Sequence, residues 1–310
     1  MFFKSPSLGI DISDYSLEVV SLAGSSENPR LLALGRAKLG PGIFEGGKIL
    51  KKEDLKNVLK NLIENPQLGK IKTKKFIFSL PEAKSFFRLF QLPKEVKEKE
   101  ILEYIQSQAK ENFPYSLEEL YLDYQIEDQE ILLVAAPREI VNDYLEVFQG
   151  CQLEPLASEI ESLSLARALL PDSVSPILIA DFGARTTNLS IFDRRKLKLS
   201  FSLPVAGNSF TQAISEKFNL PPEEAENLKK EVGLKPELKE GKVFLILQKE
   251  LQAIIEEIKR TETYFQNKTG KSIEKIILAG GSAGLPNLTD YLAENLQKPV
   301  EIGDPWQKIN

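Results

Sequence analysis

Hydrophobic positions along the chain switch repeatedly between a period of two and a period of about 3.6. The stretches 7–13, 16–22 and 31–37 alternate apolar and polar residues between turn-forming ones, which predicts a meander of three strands. Leu55, Val58, Leu59 and Leu62 then recur at helical spacing within 54–64. Strand patterns at 75–80 and 85–92 flank a turn at Pro81-Glu82, and 94–112 reads as a charged amphipathic helix that Phe113-Pro114 ends. In the 85–92 run, Phe86, Arg88 and Phe90 alternate with Phe87, Leu89 and Gln91, and the aromatics are assigned to a local core rather than to a partner surface. The stretches 121–126 and 130–136 read as a hairpin. Pro137 opens a helix to 149 that places Ile140, Val141, Tyr144, Leu145 and Phe148 on one face. Together 75–149 reads as a β-β-α-β-β-α module, and Pro171-Asp172-Ser173-Val174-Ser175-Pro176 as a linker. A second meander follows at 177–182, 186–192 and 196–203. Strands alternating with helices throughout predict an α/β fold.

The second meander resembles the first. Gly9-Ile10-Asp11-Ile12-Ser13 aligns with Ile179-Ala180-Asp181-Phe182-Gly183, so an Asp ends each first strand, and the residues alone leave duplication and ordinary strand recurrence both open. Each Asp precedes a turn of small or hydroxylic residues, Ser13-Asp14-Tyr15-Ser16 and Gly183-Ala184-Arg185-Thr186-Thr187. Successive backbone N–H groups in such turns form concavities for anions, with Ser and Thr hydroxyls as added donors. Two facing turns could clamp a chain of phosphates, while the carboxylates hold Mg²⁺ through water. One copy alone would read as an ordinary hairpin loop. A Gly-rich run, Ala279-Gly280-Gly281-Ser282-Ala283-Gly284, follows an apolar strand and precedes a helix capped by Asn287. It matches neither Walker A nor Rossmann spacing. Glu226 and Lys229 lie three apart on a helix beginning near Pro221-Pro222, which by itself is a solvated pair.

Composition narrows the chemistry. The 310 residues contain no His and one Cys, Cys151. This removes imidazole nucleophile activation, His-containing zinc sites and intramolecular disulfides, and fits a reducing, cytoplasmic setting. The available tools are carboxylates, hydroxyls, Lys, Arg, backbone amides or a bound ion. A net charge of −5 argues against a dedicated nucleic-acid binder. The longest uncharged stretch, 199–215, is too short and too polar to span a bilayer, and Met1-Phe2-Phe3-Lys4-Ser5-Pro6 lacks a signal-peptide core and reads as a frayed terminus.

In their order along the chain, these elements resemble the actin, Hsp70 and sugar-kinase ATPase superfamily, in which two duplicated halves close on ATP. The inserted module resembles the extra subdomain shared by the FtsA and PilM families. Phe78-Ser79-Leu80-Pro81-Glu82, the run from Gln108 to Tyr124, Leu132-Leu133-Val134-Ala135-Ala136-Pro137-Arg138, 181–189 and 278–286 are similar to the PilM family in particular. The resemblance implies an actin-like, ribonuclease H-like duplicated ATPase fold. Its implied parts are a first half-domain at 1–74, the inserted subdomain at 75–150, a connecting helical segment at 151–175, a second domain at 176–285 and a C-terminal return to the first at 286–310. It further implies ATP and Mg²⁺ as ligands, with Asp11 and Asp181 near the metal, mainly through water. Ser13, Asp14, Tyr15 and Ser16 would form one phosphate turn, and Gly183, Ala184, Thr186 and Thr187 the other. Gly207 would begin a helix at the nucleotide, Glu226 and Lys229 would flank the ribose and base, and Gly280, Gly281 and Ser282 would lie against the adenosine. Glu161, ahead of Glu159, would orient the attacking water.

The first turn departs from the superfamily pattern. Ser13 replaces a Gly, Asp14 and Tyr15 replace small residues, and Glu18 replaces a Lys. A carboxylate near polyphosphate is repulsive at low effective dielectric, so the expectation is nucleotide binding with at most slow hydrolysis. The function implied is a cytoplasmic adaptor of the type IV pilus or a related secretion or competence platform. It would bind the cytoplasmic N-terminal tail of a PilN-like inner-membrane protein in a groove beside the insert, and so meet the membrane only through that partner. Self-association stays open, and no nucleic acid is expected. Two alternatives are an FtsA-like division filament protein and a small-molecule kinase. The first usually ends in an amphipathic membrane-targeting helix, and the final residues Gly303-Asp304-Pro305-Trp306-Gln307-Lys308-Ile309-Asn310 do not resemble one. The second needs an acceptor pocket and an Asp base that the sequence does not nominate.

Overall fold

The computed structural model describes residues 6–25, 28–172 and 175–309. Phe2 and Phe3 of the terminus, and Ser173 and Val174 of the expected linker, lie outside the described residues. The chain divides into two compact units, residues 1–161 with 308–310, and residues 162–307.

The first unit opens with the expected meander, β1 (Ser7–Ile12), β2 (Ser16–Gly24) and β3 (Pro29–Lys38). A small hairpin, β4 (Phe44–Glu45) and β5 (Lys48–Ile49), precedes α1 (Lys52–Glu64) and β6 (Leu68–Gly69). Then come β7 (Lys75–Leu80), β8 (Phe86–Gln91), α2 (Ile101–Asn112), β9 (Leu120–Glu127), β10 (Glu130–Pro137), α3 (Arg138–Gly150) and β11 (Glu154–Ile160). Six strands form one sheet in the order β11-β7-β1-β2-β3-β6, with β7 parallel to both β1 and β11. One face of this sheet buries Leu8, Ile10, Leu17, Val19, Phe76 and Phe78 against Leu55 and Leu59 of α1 and Tyr144 and Phe148 of α3. The aromatic contacts are close, with ring centroids of Phe76 and Phe148 4.5 Å apart.

Within 75–150, the first strand and the last helix therefore serve the large sheet, because Phe76, Phe78, Tyr144 and Phe148 share its core. The middle of the stretch builds a separate three-stranded sheet, β8-β10-β9, covered by α2. Its core contains Ile105, Ala109, Phe113, Ile131 and Leu133, with Phe86 and Phe90 packed against it. The Phe86–Phe113 and Phe90–Tyr104 ring distances of 5.7 and 5.8 Å place the 85–92 aromatics in that core, as the alternation predicts. Asp128 and Gln129, both at positive φ, form the two-residue turn between β9 and β10.

The second unit comprises α4 (Glu161–Leu169, its first residue grouped with the first unit), β12 (Ile177–Phe182), β13 (Thr187–Asp193), β14 (Lys196–Leu203), α5 (Gly207–Phe218), α6 (Pro222–Val232), α7 (Lys242–Thr269), β15 (Lys275–Ala279), α8 (Leu288–Leu296) and β16 (Val300–Ile302). Its sheet runs β14-β13-β12-β15-β16. In both units an antiparallel meander is extended by parallel strands on the side of its first strand. That shared order supports duplication over chance recurrence of strands. The 171–176 stretch lies between α4 and β12, where Asp172 pairs with Arg195 at 2.6 Å. From 286 onward the chain, expected to return to the first half, supplies α8 and β16 to the second unit. Leu288, Leu292 and Leu296 bury into its core beside Leu278 and Ile254, and only 308–310 group with the first unit. Asn287 sits at the start of α8, but with φ 61° and no side-chain cap, so its role there is the tight left-handed turn.

Candidate functional site

In the second unit, three separate segments converge around the end of β12. The 183–186 turn is closed by the Gly183 amide donating to the Thr186 carbonyl at 3.0 Å. The Gly207 amide at the start of α5 donates to the Gly183 carbonyl at 3.1 Å, and the Asn208 amide to the Ala184 carbonyl at 2.8 Å. The Ser282 amide donates to the Phe182 carbonyl at 3.0 Å, drawing the Gly-rich run against the same strand end. Gly280 has φ 84°, and a Cβ there would fall 2.3 Å from Asp181 Oδ1 and 2.5 Å from the Phe182 carbonyl oxygen. A Cβ on Gly207 would lie 2.5 Å from Ser282 Oγ. Both glycines are required by close approach. Gly281 has open space around it.

Glu226 and Lys229 join this cluster by an inward route. Lys229 is buried; its ammonium donates to the Gly207 carbonyl at 2.9 Å and to Thr211 Oγ1 at 2.8 Å, and pairs with Glu226 at 2.7 Å. The lysine therefore ties α6 to the first turn of α5 and orients Glu226, whose carboxylate keeps partial solvent access. Desolvation pushes the Glu226 carboxyl up, but hydrogen bonds from Lys229, Thr211 and Lys230 outweigh it and hold the pKa at about 2. Desolvation lowers the Lys229 pKa, opposed by Glu226. Thr211 is a residue that sequence reasoning missed; its position four residues into a helix that starts at Gly207 is the signal that could have found it.

Thr187 is also deeply buried, and its hydroxyl donates to the Val205 carbonyl at 2.7 Å. That hydroxyl secures the segment leading into α5. Across the hairpin from Asp181 stands Asn188, whose buried Oδ1 has no hydrogen-bond partner.

The corresponding turn of the first unit is differently built. Ser13 spends its groups on closing the hairpin: its amide donates to the Ser16 carbonyl at 2.8 Å, and its hydroxyl lies 2.9 Å from Ser16 Oγ. Asp14 Oδ1 accepts from the Gly46 amide at 2.7 Å, and Tyr15 is exposed. Asp11 accepts a 2.7 Å hydrogen bond from Ser79 at the end of β7. Although Asp11 keeps solvent access, protein atoms crowd its carboxyl; this desolvation raises its pKa, opposed by Ser79. Glu18 pairs across the hairpin with Asp11 and, on the other side, meets Arg36 at 2.9 Å. Its pKa is raised first by desolvation and then by Asp11, while Ser16 and Arg36 act in the lowering direction. Glu161 begins α4 and accepts a 3.2 Å hydrogen bond from the Glu82 amide, while Glu159 lies in β11 opposite Ser79.

A family profile described as "Type IV pilus assembly protein PilM" matches residues 9–310. The chain belongs to the PilM family. The fold is the actin-like ATPase fold. A solved PilM-PilN type IV pilus biogenesis complex superposes with a TM-score of 0.83 at 24% identity, covering 99% of this chain and 91% of that one. MreB5 of Spiroplasma citri bound to AMPPNP superposes with a TM-score of 0.57 at 16% identity, covering 97% of this chain and 92% of that one. Cell division protein FtsA of Buchnera aphidicola (subsp. Acyrthosiphon pisum) is 25% identical over 203 residues, 56% of this chain and 49% of its own length. The match thus spans about half the length of that curated relative. Among the described residues of this PilM-family chain, no helix is long and apolar enough to cross a membrane.

Proposed function

We propose that this chain is a nucleotide-binding adaptor of type IV pilus assembly that takes ATP with Mg²⁺ and the cytoplasmic tail of a PilN-like inner-membrane protein. The observation that carries nucleotide binding is the convergence on the end of β12, where the 183–186 turn, the start of α5 and the Gly-rich run are drawn together by backbone hydrogen bonds and two closely approached positions are glycines, Gly207 and Gly280. Amides at a turn and a helix start suit phosphate oxygens. Glu226, fixed by Lys229 and Thr211, would accept from ribose hydroxyls, and Gly281 and Ser282 would lie against the base.

The residues also fit a hydrated Mg²⁺. Among the described residues no group of three metal-ligating side chains exists, which disfavours a dedicated cage. Asp181 and the unpartnered Asn188 Oδ1 instead offer one carboxylate and one amide oxygen to waters of an ion bound chiefly by phosphate, the arrangement Mg²⁺ favours. Bound there, the ion would neutralise phosphate charge. The first unit's contribution would be weaker, because Asp11 and Glu18 present two carboxylates where a cation would help. Binding with slow turnover follows, and Glu161 is the group proposed to orient water.

The partner reading rests on family membership and on the solved relative assembled as a PilM-PilN complex. Titrating the full chain with ATP, with and without Mg²⁺, and separately with a peptide of the PilN-like tail tests both halves. Saturable binding of each is expected. No nucleotide binding at millimolar concentration would remove the first half, and no peptide binding with or without ATP would remove the second.

A further inference from the structure

The loop 70–74 joins β6 to β7 and contributes to a sequence of Lys70, Ile71, Lys72, Thr73, Lys74 and Lys75. Ile71 packs against the core of the first unit, and the partly buried Thr73 accepts from the Lys75 amide at 3.1 Å. The alternation therefore turns Lys70, Lys72 and Lys74 outward, and all four lysines are exposed. Among the described residues no carboxylate pairs with any of their ammonium groups. Beneath them lies a cavity of about 890 Å³, walled in part by Pro6 and Leu32, with Glu154 as an acidic lining residue. These lysines stand at the entry of β7, whereas Asp11 and Ser79 stand at the exit ends of β1 and β7. At about 3.3 Å per residue, strands of this length separate the two ends by roughly 15–20 Å.

We propose that this lysine-rimmed end of the first unit docks on an anionic phospholipid bilayer. The proposal rests on the reading that the chain works beside an inner-membrane protein. Charge complementarity favours the bilayer, since four unpaired cations are concentrated on one surface of a chain whose net charge is −5. The apolar walls beneath them suit the glycerol and upper acyl region of a lipid better than a sugar-phosphate backbone. Among the described residues no aromatic side chain lines the cavity for base stacking. A patch of this size binds weakly and reversibly, so it acts as a second attachment that raises the effective concentration of the chain at its membrane partner. Docking at this end leaves the Asp11 and Ser79 end of the sheet uncovered.

The test is flotation of the full chain with vesicles that contain no protein, made of phosphatidylcholine alone or with about one third phosphatidylglycerol. Co-flotation is expected only with the anionic vesicles, and added salt should abolish it within the range where the Debye length falls to about 8 Å and below. At about fivefold per lysine, the K70Q/K72Q/K74Q variant should lose roughly a hundredfold in partitioning at low salt. The control K94Q/K97Q/K99Q, which removes the same three charges from another exposed stretch, should lose far less. An unchanged thermal midpoint in the K70Q/K72Q/K74Q variant, whose substitutions are all exposed, attributes the loss to the patch. Equal flotation with neutral vesicles, equal flotation of the K70Q/K72Q/K74Q variant, or preferential binding of single-stranded nucleic acid or a second copy of the chain through these lysines would overturn the proposal. Because the vesicles carry no PilN-like tail, these outcomes are independent of the peptide titration.

Discussion

Asp11 and Glu18 are direct cross-strand partners in the β1–β2 hairpin, so two carboxylates share one face of the sheet beside the first turn. In the second unit the same pairing joins Asp181 to Asn188. With nucleotide bound as proposed, the neutral amide at 188 would let the second turn approach phosphate, while the charge at 18 would oppose it. Glu18→Gln should therefore tighten ATP binding about tenfold, the effect of removing one like-charge contact at a partly screened position. Calorimetric titration checks this. The lost Arg36 pair should cost little, since that guanidinium is mostly exposed.

The carboxylates Asp11 and Glu18 of the first unit and Glu226 of the second titrate with opposite signs. The raised Asp11 and Glu18 pKa values mean that the folded state binds protons more tightly than the unfolded chain. Their contribution is most favourable below the ordinary carboxylate range and is lost as pH rises through the raised folded values. Glu226, held at about 2 against an ordinary 4.5, does the reverse: its stabilisation is present above about 4.5 and is lost as pH falls through about 2. Glu226→Gln should flatten the acid limb of stability over that lower window, and Glu18→Gln should reduce the decline above it. Urea midpoints measured across acid pH distinguish the two.

The alternation of apolar residues made both meanders legible, because each first strand buries every second side chain or more against one core. Leu8, Ile10 and Ile12 do so in β1, and Ile177 to Ala180 are buried throughout β12. Gly280 was legible as a close-approach position because it stands in a Gly-rich run directly after an apolar strand, whereas Gly207 entered only through the family resemblance as the start of a helix. What could not be read was β11, largely exposed and held by hydrogen bonds to β7 rather than by apolar pattern, and the two-residue β6. Nor did the spacing of Glu226 and Lys229 distinguish a solvated pair from a buried one. The difference lies in Gly207 and Thr211, which reach Lys229 only through the packing of α5 on α6.

Lys229→Met tests that packing. It leaves the Gly207 carbonyl without its lysine donor and Glu226 with only Lys230 and Thr211. Breaking a fully buried pair costs about 3–5 kcal/mol, and the partial exposure of Glu226 reduces the expectation to about 2 kcal/mol. Denaturant unfolding measures it. The double variant with Glu226→Gln should recover part of the loss, since the neutral amide no longer needs the cation.

Glu161 accepts from the Glu82 amide through one oxygen, which fixes its carboxylate at the start of α4. Glu161→Gln retains an oxygen for that hydrogen bond and removes the negative charge. It should leave ATP affinity within about twofold and lower any slow turnover by about tenfold or more, the loss expected for a group that positions water by charge. Single-turnover assays with Mg²⁺ read this. Brisk hydrolysis in the native chain that Glu161→Ala abolishes would show an efficient ATPase instead of a slow one.

Gly280 and Gly281 are adjacent, yet only the first is constrained. At Gly280 the positive φ already disfavours any side chain, and a Cβ would press on both Asp181 Oδ1 and the Phe182 carbonyl. Asp181 can rotate away, but the Phe182 carbonyl belongs to the strand end and also receives the Ser282 amide, so relief there must break that hydrogen bond. Gly280→Ala should destabilise the chain by about 2–3 kcal/mol, combining left-handed backbone strain with the contact, and should reduce ATP affinity as the Gly-rich run moves off β12. Gly281→Ala meets nothing within 4 Å and should change stability by less than about 0.5 kcal/mol. If adenosine lies against this run, Gly281→Ala will still weaken ATP more than inorganic triphosphate, because the added methyl intrudes on the base and not on the phosphates. Parallel titrations of ATP and triphosphate against both variants separate a fold defect at Gly280 from a binding defect at Gly281, and equal affinities in the Gly281 variant would place the adenosine elsewhere.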